Sequence, residues 1–229
     1  MAGIDLCVGV GERLAIIGPN GAGKTTLFGL ISGELRADGG RVFFFGEDIT
    51  DMPPSRRACL GLGRTYQLTN LFPALSVLEN VLLALLGHSR ARAMPLRPLR
   101  TYRHLYESAG QLLDLLGLSA VGGVRVADLS YGEQREVEIA LALAARPRVL
   151  LLDEPTAGLS PAETRRMVEI LRDLPTAMTI LLIEHDMSVA FGVCRRLIVM
   201  HQGAIIAEGP PEAIRRNAQV REVYLGMKG

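Results

Sequence analysis

The chain has 229 residues, 48% hydrophobic and 21% charged, an ordinary globular composition with apolar material for one large core or two modest lobes. A formal net charge of +1 excludes a global basic field, so nucleic acid is not the expected partner. Cys7, Cys59 and Cys194 are scattered without CxxC or histidine spacing, which points to reduced thiols of a cytosolic protein rather than disulfides or a metal centre. The longest apolar runs, such as Val77 to Leu86, fall short of the ~20 residues that cross a bilayer, and the N-terminal residues lack the pattern of a secretion signal.

In chain order, Ile4–Val8 reads as a short strand and Gly9-Val-Gly-Glu12 as a turn. A second strand, Leu14–Ile17, runs into Gly18-Pro19-Asn20-Gly21-Ala22-Gly23-Lys24-Thr25-Thr26, a glycine loop followed by a lysine and two threonines. This is the pattern of a phosphate-binding loop. Its glycines let successive amides turn toward phosphate, Lys24 supplies an ammonium, Thr25 offers a hydroxyl to Mg²⁺, and the helix beginning near Lys24 adds its positive end. Gly39–Gly46 reads as another short strand, and Met52-Pro-Pro-Ser55 as a turn opening a helix at Arg56, so the first lobe is mixed α/β.

Gln67 follows Arg64-Thr-Tyr66, and Ser76-Val-Leu-Glu79 has the spacing of a capping box at the head of an apolar helix. The pattern stays helical to Ala145, with Leu112, Leu113, Leu115, Leu116 and Leu118 on one apolar face and a break at Gly122-Gly123. Arg90, Arg92, Arg97, Arg100 and Arg103 lie in a stretch without acids, by default a solvated basic loop and, as the sharper option, a contact with lipid head groups or a membrane partner. The apolar strands Val149–Leu152 and Thr179–Ile183 end in Asp153-Glu154 and Glu184-His185-Asp186, as buried parallel strands do when their carboxyl ends form a site. Arg196–Met200 and Ala204–Ala207 flank His201-Gln-Gly203 as a hairpin, and residues 210–229 form a polar helical tail.

Phosphoryl transfer to water needs Mg²⁺, a positioned water and positive charge around the γ-phosphate. Asp153 is the expected Mg²⁺ partner of Thr25, and Glu154 the expected base or water-orienting group. Ser130 heads a helix, so its hydroxyl and the amides at Tyr131 and Gly132 form an anion site, yet within one chain that site has no phosphate to hold.

Leu129-Ser-Tyr-Gly-Glu-Gln134, lying between the phosphate loop and Leu150-Leu-Leu-Asp-Glu154, resembles the signature motif of ATP-binding-cassette ATPases. Gln67 is similar to that family's Q-loop glutamine, Pro155–Ser160 to its D-loop, and His185 to its switch histidine. The resemblance spans nearly the whole chain. It implies an α/β phosphate-loop NTPase, with a RecA-like core and small antiparallel β lobe over residues 1–68 and 146–203, an inserted helical subdomain over 69–145, and a C-terminal hairpin strand and helical tail over 204–229. It also implies ATP and Mg²⁺ as ligands, Glu154, His185 and Gln67 as catalytic groups, and Thr25, Gln67 and Asp153 at the metal. Two subunits, identical or related, would pack head to tail, each signature helix with Ser130 and Gly132 closing over ATP on the other's phosphate loop.

The run Arg64–Asn80, the Tyr-Gly-Glu-Gln of the signature, Ile183-Glu-His-Asp-Met187, Ala207-Glu-Gly and Tyr224-Leu-Gly226 resemble ATP subunits of branched-chain amino acid importers, whose near relatives serve urea, amides or aromatic acids. That implies a peripheral motor at the cytoplasmic face of the cell membrane, partnered by integral permease subunits and indirectly by a solute-binding protein. The cleft beside Gln67, near Leu71, Phe72 and Leu75, would receive a short helix of the permease; packing of Phe72 into the core is the other reading. A soluble relative acting on nucleic acid or ribosomes would carry two cassettes or an inserted arm, and a small-molecule kinase would leave Ser130 and His185 without a role. Two positions depart from the family pattern. The D-loop ends in Ser160 where Asp or Asn is usual. Only seventeen residues precede Gly18, without the family's adenine-stacking aromatic, so weak and base-indifferent nucleotide binding is expected of these residues.

Overall fold

The computed structural model describes residues 3–65, 71–89, 98 and 101–225. Four strands with apolar, buried interiors dictate its centre: β1 (Arg13–Ile17), β5 (Val149–Asp153), β6 (Thr179–Ile183) and β7 (Arg196–His201). Strands with no polar face must be covered on both sides, which parallel sheets with flanking helices achieve. With β4 (Leu62–Arg64) and β8 (Ala204–Gly209) they form one sheet of order β4-β5-β6-β1-β7-β8, parallel except for β8, which returns antiparallel to β7. β1 lies between β6 and β7, with Ala15 opposite both Leu182 and Leu197.

The two-residue alternation of strands divides the core. Leu14, Ile16, Leu151, Leu181, Ile183 and Ile198 face α1 (Lys24–Ser32) through Leu27 and Phe28, and the small hairpin β2 (Phe43–Phe44) and β3 (Glu47–Asp48) through Phe44. Ala15, Ile17, Leu150, Leu152, Ile180 and Leu182 face the other way, into a cluster shared with the remaining long helices. These are α3 (Val77–His88), α4 (Arg103–Leu115), α5 (Tyr131–Ala144) and α6 (Pro161–Asp173). α2 (Pro54–Leu60) carries Arg57, whose buried guanidinium donates to the carbonyls of Leu30, Ile31, Thr50 and Met52, tying the end of α1 to the small lobe. α7 (Met187–Val193), α8 (Pro211–Arg216) and α9 (Ala218–Leu225) complete the chain.

Several expectations need correction. Ile4, Leu6 and Val8 alternate as a strand should and pack on the first cluster, but no strand among the described residues pairs with them, so the segment is extended without a ladder. The strand expected over Gly39–Gly46 shrinks to Phe43–Phe44, because Phe45 (φ 50°) and Gly46 (φ 88°) make the tight turn into β3. On the leucine-rich face Leu113, Leu116 and Leu118 are buried, whereas Leu115 points to solvent. The hairpin at His201–Gly203 forms as expected, with Gln202 and Gly203 both left-handed. All three cysteines are free, and burial pushes the Cys194 thiol up to about 12. Among the described residues no helix is long and apolar enough to cross a membrane.

Candidate nucleotide site

The carboxyl ends of β1, β5 and β6 bring the phosphate loop, Asp153-Glu154 and Glu184-His185 to one edge of the sheet. The loop leaves β1 at Gly18, where φ is 152° and an added Cβ would lie 2.2 Å from the Met200 carbonyl oxygen, so only glycine fits. It enters α1 through Gly23, left-handed at φ 99°, which leaves the first helical amides without a side-chain cap and turned to the loop. Lys24 is buried, and its Nζ donates to the carbonyls of Gly18 (2.7 Å) and Pro19 (3.0 Å). Burial lowers its pKa, opposed by the nearby charges of Glu154 and Asp153. Thr25 and Thr26 are exposed.

Asp153 is buried, and its Oδ2 lies 3.4 Å from Arg64, which also binds Glu34 at 2.6 Å. Burial raises the Asp153 pKa, against the pull of Arg64. Its Oδ1 is buried with no hydrogen-bond partner among the described residues. A buried acceptor left open is costly unless something else completes it. An open carboxylate oxygen and an exposed threonine hydroxyl, with phosphates and waters for the remaining positions, are the donor set Mg²⁺ takes, so the residues fit the metal. Glu154 sits at φ 50°, a left-handed conformation unusual for a side chain of its size, and its Oε1 is 2.6 Å from His185 Nε2. Beneath them the buried Glu184 accepts from the Thr156 amide (3.2 Å) and hydroxyl (2.7 Å) and from the His185 amide (3.3 Å), which joins the turn after Glu154 to the base of His185. Burial pushes the Glu184 carboxyl upward.

The fold thus brings Lys24, Asp153, Glu154 and His185 to one place. Gln67 lies outside the described residues. Ser130 and Gly132 do not join the group: Ser130 caps α5, exchanging hydrogen bonds with Glu133, and the Gly132 amide donates to Glu163 Oε1 at 3.2 Å. Ser160 caps α6 in the same manner with Glu163, so the unusual D-loop residue does the capping work that Asp or Asn would do. Sequence reasoning missed Arg64, Glu184 and Glu163, whose partners lie far along the chain. Between the sheet edge and the helices lies a cavity of about 310 Å³ lined by Arg64, Thr65, Leu71, His88, Glu138 and Leu141, and Phe72, which follows Leu71 in the chain, is 56% exposed rather than in the core.

A phosphate loop with a buried lysine, a carboxylate pair ending the neighbouring parallel strand and a histidine on the second carboxylate define an ATPase of the phosphate-loop class. Residues 1–157 match the family model described as ABC transporter, and the chain belongs to that family. Residues 204–226 match the model described as branched-chain amino acid ATP-binding cassette transporter. The chain is 37% identical to the high-affinity branched-chain amino acid transport ATP-binding protein BraF of Pseudomonas aeruginosa over 98% of this chain and 91% of the relative. It is 37% identical to LivG of Escherichia coli, covering 94% and 87%. It is 38% identical to the lipopolysaccharide export system ATP-binding protein LptB of Acidithiobacillus ferridurans, covering 97% and 89%. A nucleotide-free ATP-binding cassette of an ABC transporter superposes with a TM-score of 0.84 at 33% identity, covering 97% and 91%. A dimeric cassette bound to ADP and Pi superposes with a TM-score of 0.75 at 26% identity, covering 90% and 88%.

Proposed function

We propose that this ATPase is the motor subunit of an importer for branched-chain amino acids, working at the cytoplasmic face of the membrane as half of a head-to-tail pair of ATP-binding subunits. The proposed partners are integral permease subunits, with a solute-binding protein engaged indirectly. The 204–226 match favours branched-chain amino acids over lipopolysaccharide, since overall identity to the two kinds of relative is nearly equal. The lobes we assign are 1–68 with 146–203 for the nucleotide core, 69–145 for the helical part and 204–229 for the tail.

The observation that carries the catalytic reading is the 2.6 Å contact of His185 Nε2 with Glu154 Oε1 at the end of β5, beside an open oxygen of Asp153. Lys24, now spent on the carbonyls of Gly18 and Pro19, would turn to phosphate oxygens, a stronger charge-assisted partner. Glu154 would orient a water and take its proton, with His185 fixing the carboxylate's direction. Asp153, Thr25 and Gln67 would hold Mg²⁺, which supplies charge neutralisation at the phosphates when bound. Glu154→Gln should keep ATP binding and lower kcat by about 10²–10⁴; hydrolysis at the wild-type rate would reject Glu154 as the base. For the solute, vesicles carrying the assembled transporter should accumulate labelled leucine in an ATP-dependent, Glu154-dependent manner; uptake of urea or an amide instead would reassign the substrate.

A further inference from the structure

The helix that should receive a phosphate from the second subunit is not open in this chain. Two amides at its start are engaged by the chain's own acids: the Ser130 amide donates to Glu133 Oε2 at 2.8 Å, and the Gly132 amide to Glu163 Oε1 at 3.2 Å. Glu133 belongs to the capping box of its own helix and moves with it. Glu163 does not. It comes from the first turn of α6, and its other oxygen, Oε2, accepts the Ser160 amide at 2.8 Å, so one carboxylate bridges the starts of two helices. The fit is close, since a Cβ on Gly132 would lie 2.5 Å from Glu163 Oε1. A second contact holds the same junction: a Cβ on Gly158 would meet the Tyr131 ring at 3.1 Å, and the Tyr131 hydroxyl accepts from Arg135 Nε.

We propose that Glu163 is a built-in competitor for the phosphate of the opposing subunit's ATP, holding the Gly132 amide while the chain is alone and giving it up when the pair of subunits closes. This rests on the composite-site reading given above. Two anions on one amide repel, so closure must swing Oε1 away while Oε2 stays on Ser160. The hydroxyl and amide of Ser160, followed by the Gly132 amide, hold the Glu163 pKa below its ordinary value, so at neutral pH the competitor is a full anion. Glu163 is on this account a positioning residue: it sets how readily ATP recruits the second subunit, without touching the reacting atoms.

The test uses the full chain with Glu154→Gln as parent, so that ATP is not consumed, and follows the ATP concentration giving half-maximal dimer by sedimentation velocity. Glu163→Gln, which keeps an acceptor for Ser160 but removes the charge, should lower that concentration by at least about fivefold. Glu163→Ala should lower it too, while also lowering the melting temperature through loss of the cap. A purely structural Glu163 would give the second effect without the first. Nucleotide affinity of the dilute monomer, read by a fluorescent ATP analogue, should stay the same, and Glu169→Gln on the exposed side of α6 should leave the midpoint where it was. An unchanged or raised midpoint in both Glu163 variants, or an equal drop with Glu169→Gln, overturns the proposal alone. A parent that fails to dimerise with ATP overturns the composite site and this proposal together.

Discussion

At Glu154 the chain accepts a left-handed φ of 50°, a conformation that costs about 1–3 kcal/mol in a side-chain-bearing residue. From that conformation the carboxylate contacts His185, with Oε1 2.6 Å from Nε2. His185→Ala should therefore leave ATP affinity intact and lower kcat by about 10²; a change confined to KM would show that the histidine serves binding instead. Glu184 makes a different claim. Its folded pKa is raised by burial, so it contributes full stability below the ordinary carboxylate value of about 4.3, and that contribution is lost as pH rises through the folded value. Glu184→Gln keeps an acceptor for Thr156 and cannot ionise, so its melting temperature relative to wild type should climb as pH rises above the ordinary carboxylate value; a difference independent of pH would refute the assignment. Lys24 was legible from the glycine-loop pattern that precedes it, Asp153 and Glu154 from ending an apolar strand, and His185 from its resemblance to the family's switch histidine. Arg64, Glu184 and Glu163 were not, because they act on Asp153, Thr156 and Gly132, and those sequence separations of 89, 28 and 31 residues are closed only by the fold.

Among the elements, one four-residue pattern, serine followed three positions later by glutamate, starts α3, α5 and α6, each time with both reciprocal hydrogen bonds formed. A local signal of this kind can be read without the fold, and Ser76-Val-Leu-Glu79 was. Ser76→Ala should cost about 1 kcal/mol, a fall of about 2–4 °C in melting temperature for a chain of this size; no measurable fall would mean that the packing of Val77, Val81 and Leu85 alone sets the helix start. Strand signals were less secure. Ile4–Val8 has the right alternation, but a strand exists only where a neighbour takes its amides, and alternation says nothing of the neighbour. At Phe45 the aromatic residue suited a strand, yet the turn into β3 took it into a left-handed conformation that its residue type gives no hint of.

For the whole molecule, the separation of Ser130 from the loop of its own chain predicts complementation. A Ser130→Arg chain mixed with a Lys24→Ala chain should regain one working composite site, so mixed activity should exceed the sum of the two alone; activity merely additive would contradict the head-to-tail pair. The exposed ring of Phe72 predicts a contact. Its backbone is clamped by Asn80, which accepts from the Phe72 amide at 2.8 Å and donates to its carbonyl at 3.1 Å, so the ring is displayed from a held backbone, one residue on from Leu71 of the 310 Å³ cavity. Phe72→Glu should abolish transport in the assembled importer and leave basal ATPase and melting temperature near wild type; a fall in all three would return Phe72 to the core. The strand order carries a consequence in time. β1 is made first, but the strands on either side of it, Thr179–Ile183 and Arg196–His201, begin 162 (179 − 17) and 179 (196 − 17) residues after its last residue. At ~5–20 residues per second, Leu14–Ile17 waits roughly 8–37 s on the ribosome with its amides and apolar faces uncovered. Chaperone demand should therefore fall on the nascent chain early and lift only when β7 has left the exit tunnel.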